Sequence, residues 1–160
     1  PGNEIIFAAG FPTATGRGKL VPTKLVPPDE LPDDEYPMVL TTGRMLEHWH
    51  TGAMTRRAST LDALEPAAVA SMSPREIGKR GWQPGDRVKV ETRRGHVELT
   101  VRADRDVPEG MVFIPFCFAE AAANMLTNPA LDPYGKIPEF KFCAAKVTRV
   151  GDAAPAQAAE

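Results

Sequence analysis

In the middle of the chain, apolar and polar residues alternate with a period of two over short stretches, which is the pattern of half-buried strands. Val88, Val90 and Thr92 alternate with Arg87, Lys89 and Glu91, and Val97, Leu99 and Val101 alternate with His96, Glu98 and Arg102. Arg93-Arg94-Gly95 separates the two runs and predicts a hairpin in which Gly95 is free to adopt a positive φ. Residues 38–41 and 111–115 are short, continuous apolar runs, as fully buried strands require, and residues 67–72 form a further candidate. Residues 142–150 read as the last strand.

The period changes once. Ser73-Pro74-Arg75-Glu76 predicts a helix start, with Ser73 as cap, Pro74 in the first turn and Glu76 completing a capping box. The helix stops near Gly81, and Gln83-Pro84-Gly85-Asp86 and Pro108-Glu109-Gly110 read as turns. Five or six short strands with one or two small helices predict a compact β-barrel over residues 38–150.

Proline alters the picture at the N-terminus. Seven of the 16 prolines lie in residues 1–37. Each fixes φ and removes a backbone donor, so this stretch predicts an extended arm that crosses a surface. Residues 151–160, rich in Ala, are expected to be a disordered tail. The chain starts at Pro1 rather than Met, which suggests a piece of a longer protein.

Composition narrows the class of partner more than the fold. The chain has 160 residues, enough for a core without disulfides, and a net charge of −2. That charge offers no general attraction to nucleic acid or to an anionic membrane. No apolar run approaches the ~18 residues of a membrane span. Cys117 and Cys143 read as reduced, buried thiols, which favours the cytoplasm.

The densest chemistry lies in residues 41–57, directly after a predicted strand. The segment holds His48, His50, Trp49, Arg44, Arg56, Arg57 and two glycines, Gly43 and Gly52, that permit unusual φ and close backbone approach to a ligand. Hydroxyls, imidazoles and guanidinium forks suit a polar, anionic, planar ligand. On chemistry alone, a solvated loop with one tucked aromatic is about as good a reading. A zinc site from His48, His50, Cys117 and Cys143 fails on spacing, because neither cysteine has a near partner. Gly16-Arg17-Gly18-Lys19 is not a phosphate loop, since Thr13 stands where a glycine is needed and Leu20 follows the lysine. Residues 116–128 read by default as an Ala-rich helical turn with Asn124 exposed, and Lys141 as a surface charge before the last strand.

Longer blocks carry a resemblance. Tyr36-Pro37-Met38-Val39-Leu40-Thr41-Thr42-Gly43-Arg44, Glu47-His48-Trp49-His50-Thr51-Gly52 and Met54-Thr55-Arg56-Arg57 closely resemble the opening of the C-terminal domain in the dimethyl sulfoxide reductase family. The likeness continues through residues 120–127 and 132–144, and the Phe11-Pro12-Thr13 arm looks like the family's lead-in. Within the family the chain looks most like the catalytic subunit of cytoplasmic, NAD-dependent formate dehydrogenases, with nitrate reductases as near relatives.

The resemblance implies a six-stranded double-psi β-barrel that caps a bis-molybdopterin guanine dinucleotide cofactor carrying molybdenum or tungsten. It implies cofactor contacts at Thr42, Gly43, Arg44, Met45, Leu46, Glu47, His48, Trp49, His50 and Thr51, and also at Phe116, Asn124 and Lys141. Phe118 is an alternative to Phe116. The family's iron–sulfur cluster, metal-ligating residue and catalytic Arg and His belong to earlier domains and match nothing in this chain. The expected partners are therefore the remaining domains of the parent subunit and the electron-transfer subunits of a formate dehydrogenase complex, with neither nucleic acid nor membrane. A cofactor-free double-psi module and an independent small subunit are the rival readings. The first has no reason to keep the His48–Thr51 block, and the Pro-rich arm argues against the second.

Overall fold

The structure is a computed structural model and describes residue 2 and residues 4–151. The predicted tail beyond residue 151 lies outside the described residues. Eight strands form among the described residues: β1 (Met38–Gly43), β2 (Val69–Met72), β3 (Arg87–Thr92), β4 (Gly95–Ala103), β5 (Met111–Pro115), β6 (Asn128–Leu131), β7 (Pro138–Glu139) and β8 (Cys143–Arg149). Six of them close a barrel in the order β1-β5-β2-β4-β3-β8, and β6 with β7 makes a separate small ribbon. Two pairs, β1 with β5 and β2 with β4, are parallel, so the chain must cross over rather than turn back at those places. Closure leaves none of the six barrel strands as an open edge. This is the six-stranded, mainly β architecture that the resemblance implied.

The core follows the alternation read from the sequence. Val88, Val90, Thr92, Val97, Leu99 and Val101 point inward from the β3–β4 hairpin, meeting Met38, Leu40, Met72, Val112, Ile114 and Val147. Gly95, however, is not left-handed. It pairs with Thr92, and the turn consists of Arg93 and Arg94 alone. The Arg94 amide donates to Thr92 Oγ1 at 3.2 Å, which closes the turn without a positive φ.

Helix α1 (Ser59–Leu64), which the pattern did not predict, precedes β2 and buries no residue. Helix α2 (Pro74–Lys79) starts as expected, with the Glu76 amide donating to Ser73 Oγ at 3.1 Å. The reciprocal half of the capping box is absent from the hydrogen bonds of Glu76. Its carboxylate instead takes Arg80 Nε at 2.9 Å and the Gly110 amide at 3.3 Å. Arg80 also donates to Val147 O on β8 at 3.1 Å and lies over the Trp82 ring. A half-buried ion pair that ties the helix to the barrel replaces the reciprocal bond of the box, while the Ser73 cap is kept.

Residues 4–37 form neither helix nor strand, and most of their apolar side chains, from Ile5 to Leu31, are exposed. The end of this arm is docked by charge. Glu30, a largely buried acid, accepts Arg94 through both guanidinium NH groups at 2.9 and 2.8 Å, Arg93 at 2.9 Å and the Ala144 amide at 3.1 Å. Asp33 takes the other arm of Arg93, and the Asp29 amide donates to Glu139 at 3.3 Å. Burial alone would raise the Glu30 carboxyl, but the hydrogen bonds from Arg94, Arg93 and Ala144 outweigh it, and the net shift is downward from 4.5. Arg93, Arg94, Asp33 and Cys143 are the titratable or charged groups around it.

A carboxylate held below its unfolded value stabilises the docked state above that value and stops doing so as pH falls through the lower one. Docking of the arm is therefore expected to be complete above 4.5 and to fail at more acid pH. The Ala144 amide proton, followed by NMR through an acid titration, should shift with a midpoint below 4.5. A midpoint at or above that value would show that the brace contributes nothing.

Candidate functional site

Strand directions bring the site together. β1 and β5 are parallel neighbours with Gly43 opposite Pro115, so the segments that follow them leave the barrel at the same end. β8 runs antiparallel to β1 with Cys143 opposite Leu40, so the segment entering β8 arrives at that end too. Residues 44–52, 116–125 and 140–142 thus converge, although they are far apart in sequence. The Phe116 amide donates to Gly43 O at 3.1 Å, which carries the β1–β5 pairing one step beyond the strands.

Between these segments lies a cleft of about 570 Å³ lined by Thr42, Arg44, His50, Thr51, Phe116, Asn124, Phe140 and Lys141. Two of its lining residues are fixed cations and none is an acid. Thr42 is buried and donates its hydroxyl to Phe140 O at 2.8 Å. Lys141 donates to Thr42 O and lies 5.8 Å from the centre of the Phe116 ring. His50 packs edge-on against the same ring at 5.3 Å. Phe116 is thus flanked by a cation and an imidazole, with Asn124 exposed further along the same segment.

Seven of the residues singled out in the sequence line the cleft: Thr42, Arg44, His50, Thr51, Phe116, Asn124 and Lys141. Gly43 ends β1 and Met45, Leu46, Glu47, His48 and Trp49 belong to the loop after it, but none of the six is in the wall. Leu46 and Trp49 are solvent-facing, with Arg44 5.8 Å from the Trp49 ring. His48 is 1% exposed, and its Nε2 lies 2.8 Å from Glu65 O while Nδ1 lies 3.3 Å from Thr55 Oγ1. Thr55 Oγ1 also accepts the Trp49 amide at 3.0 Å. His48 therefore anchors the loop, and His50, two residues on, is the imidazole offered to the cleft. The loop pays for this tight course at His50 itself, which holds a φ of 51° that few residues other than glycine adopt.

Packing requires both glycines. Gly43 has no positive φ, and a Cβ there would sit 2.5 Å from the Phe113 ring. Gly52 has a φ of +74°, and a Cβ there would meet Cys117 O at 2.6 Å. Gly43 lets β1 lie close to the Phe113 side chain of β5, and Gly52 lets the first segment approach the second at Cys117.

Two contributors escaped the sequence reading. Phe140 lines the cleft and supplies the carbonyl that fixes Thr42. Its place beside Lys141 was the available signal. Arg56 clasps the segments together: it donates to both oxygens of Glu120 at 3.0 and 3.2 Å, pairs with Asp62 on α1 and stacks 4.6 Å over Phe118. Its hydrogen bonds to the Glu120 and Asp62 carboxylates raise the guanidinium pKa above the usual arginine value. Phe118, the alternative to Phe116, lies buried under that clasp and outside the cleft wall.

A closed six-stranded barrel with a cationic, aromatic-floored cleft where three loops converge defines a domain built to hold an anionic ligand. The chain belongs to the molydopterin dinucleotide binding domain family, whose model matches residues 38–144. It is 44% identical over 150 residues to the F420-dependent formate dehydrogenase 1 subunit alpha of Methanococcus maripaludis, covering 94% of this chain and 22% of the relative. It is 43% identical over 149 residues to the F420-dependent formate dehydrogenase subunit alpha of Methanocaldococcus jannaschii, covering 93% and 22%. Among solved structures, acetylene hydratase from Pelobacter acetylenicus superposes with a TM-score of 0.62 at 25% identity, over 71% of this chain and 18% of that one. The chain thus spans about a fifth of the length of these curated relatives.

The glycine geometry separates two kinds of clash. Gly43→Ala is expected to lower stability by about 1–3 kcal/mol through overpacking against Phe113, and Phe113→Leu should recover part of the loss. Gly52→Ala should cost about 1–3 kcal/mol from its backbone conformation alone, and no trimmed neighbour should restore it, because the obstacle is the Cys117 carbonyl. Urea denaturation of the single and double variants measures both.

Proposed function

We propose that the cleft holds the phosphate and pterin portions of a bis-molybdopterin guanine dinucleotide cofactor, and that the chain is the C-terminal domain of a formate dehydrogenase catalytic subunit. The observation that carries the reading is the donor set: Arg44, Lys141, His50, Thr51 and Asn124 line one cleft that contains no carboxylate. A dinucleotide brings several negative charges out of water, and each must be met by a donor. Arg44 offers a planar fork and Lys141 a movable point charge, so the two are not interchangeable. Lys141 now spends its charge on Thr42 O and the Phe116 ring, contacts that it can give up to a phosphate oxygen. Phe116 gives the cleft a flat apolar wall that suits a pterin edge.

When bound, the molybdenum or tungsten and its pterins supply the two-electron chemistry. This chain supplies position and charge. In the parent, formate would yield carbon dioxide, a proton and two electrons, with an iron–sulfur cluster in the earlier domains carrying the electrons onward. The formate dehydrogenase relatives favour formate over nitrate as substrate. Their names give F420 as acceptor, where the sequence resemblance suggested NAD. The remaining domains of that subunit and its electron-transfer subunits are the proposed partners. No helix among the described residues is long and apolar enough to cross a membrane. The proposal retains the cytoplasmic location suggested by the cysteines.

The 160-residue chain alone is expected not to oxidise formate with an artificial acceptor, since the resemblance assigns the metal ligand and the cluster to earlier domains. In the full-length polypeptide, Lys141→Ala removes one charge-assisted contact worth about 1.5–3 kcal/mol. Cofactor retention should then fall roughly 10- to 100-fold. The activity per retained metal should change much less. Lys89→Ala, on β3 and outside the cleft, is the control. Equal metal content in the two variants after dialysis would reduce Lys141 to a surface lysine and remove the main support for the reading.

A further inference from the structure

The arm and the cleft share an intermediary. Arg94, which grips Glu30 with two nitrogens, donates its third, Nε, to Leu126 O at 3.0 Å. Leu126 O also accepts Thr92 Oγ1 at 3.0 Å and is approached by Cys143 Sγ at 3.6 Å. Leu126 is fully buried, and its own amide closes the 3₁₀ turn Ala123–Met125 that presents Asn124 to the cleft.

The second connection runs to Lys141. The β3–β8 ladder reaches only as far as Glu91 opposite Lys146, so the Ala144 amide falls beyond its end and donates to Glu30 instead. Ala144 lies three residues after Lys141. Just before Lys141, Glu139 holds the Asp29 amide with one oxygen and Asn128 Nδ2, at 2.8 Å, with the other. Two successive arm residues therefore fasten both sides of the Lys141 turn, and one of them fastens the Asn124 turn as well.

We infer that Glu30 is a positioning residue of the cleft: the end of the arm clamps the two loops that carry Asn124 and Lys141 into register with each other. The inference rests on the proposed function for what the cleft holds, but not for the clamp itself. Glu30 does not touch the cleft. It acts by satisfying the two terminal nitrogens of Arg94 and the Ala144 amide, which would otherwise be left partly buried without that acceptor. An ordinary surface ion pair would do neither, because it leaves no backbone group dependent on it. The arm is thus a fourth contributor to a site lined by the ends of three segments.

Two readouts test it, one on each half. In the 160-residue chain, Glu30→Ala should speed hydrogen exchange about tenfold or more at residues 123–127 and 139–144, by loss of charge-assisted bonds. Strand β2, which Glu30 does not reach, should be unchanged. Glu30→Gln keeps an acceptor for Ala144 but loses the charge, and should fall between the two. In the full-length polypeptide, Glu30→Ala should lower metal retention towards the level of Lys141→Ala, and the double variant should lose less than the product of the single losses. Val88→Ala, which truncates a fully buried core side chain outside the clamp, should keep its metal.

If exchange in the two loops does not change, the clamp does not exist. If the loops loosen and Lys141→Ala loses metal while Glu30→Ala keeps it, the clamp exists but does not position the site, and the inference falls. If the loops loosen and neither variant loses metal, the cofactor reading has failed and the inference falls with it. Metal loss from Val88→Ala equal to that from Glu30→Ala would assign the effect to stability alone and overturn the inference too.

Discussion

Everything at the cleft depends on one parallel pairing, that of β1 with β5. Parallel neighbours deliver their C-terminal ends to the same side of a sheet, which hairpin neighbours do not. The loop after β1 and the loop after β5 must therefore emerge together, whatever their sequences. Antiparallel β8 then enters from that side, since it closes the barrel between β1 and β3. The fold gathers three segments in one place, and their side chains need only be of the right chemical type. The tight contacts of Gly43 with Phe113 and of Gly52 with Cys117 follow from the same crowding.

Much of the barrel was legible because its strands obey a single rule. Where one face meets the core and the other meets water, alternation reports both the strand and its orientation, as in Val88 to Thr92 and Val97 to Val101. The missing elements lack that signal. Helix α1 buries nothing and has no capping side chain, so neither period nor cap marks it. β6 contains Pro129 and pairs with the two-residue β7 through a register shift, so no alternation marks it. The capping box at Glu76 was read too locally: Arg80 and Gly110 are long-range or structural partners that no four-residue motif contains.

At the site, sequence identified the segments better than the side chains. A block such as His48-Trp49-His50 signals that a loop is specialised, but not which way each residue faces. That is decided by where buried donors and acceptors are found. His48 turns inward because Glu65 O and Thr55 Oγ1 are there to meet its two nitrogens, and this leaves His50 to face outward. Arg56 looked like one arginine among several, and only the fold brings Glu120, Asp62 and Phe118 around it. The role of Glu30 was hidden for the same reason: its partners lie more than sixty residues away.

The two cysteines sit at different depths of this arrangement. Cys117 lies under Gly52, between the first and second loops, while Cys143 lies inside the barrel wall beneath the Arg94 side chain. Burial raises both thiols above their ordinary pKa, so neither is nucleophilic while covered. A thiol-labelling reagent thus reads two separate clocks in one molecule. Cys117 reports how often the loops lift away from each other, and Cys143 how often the barrel itself opens.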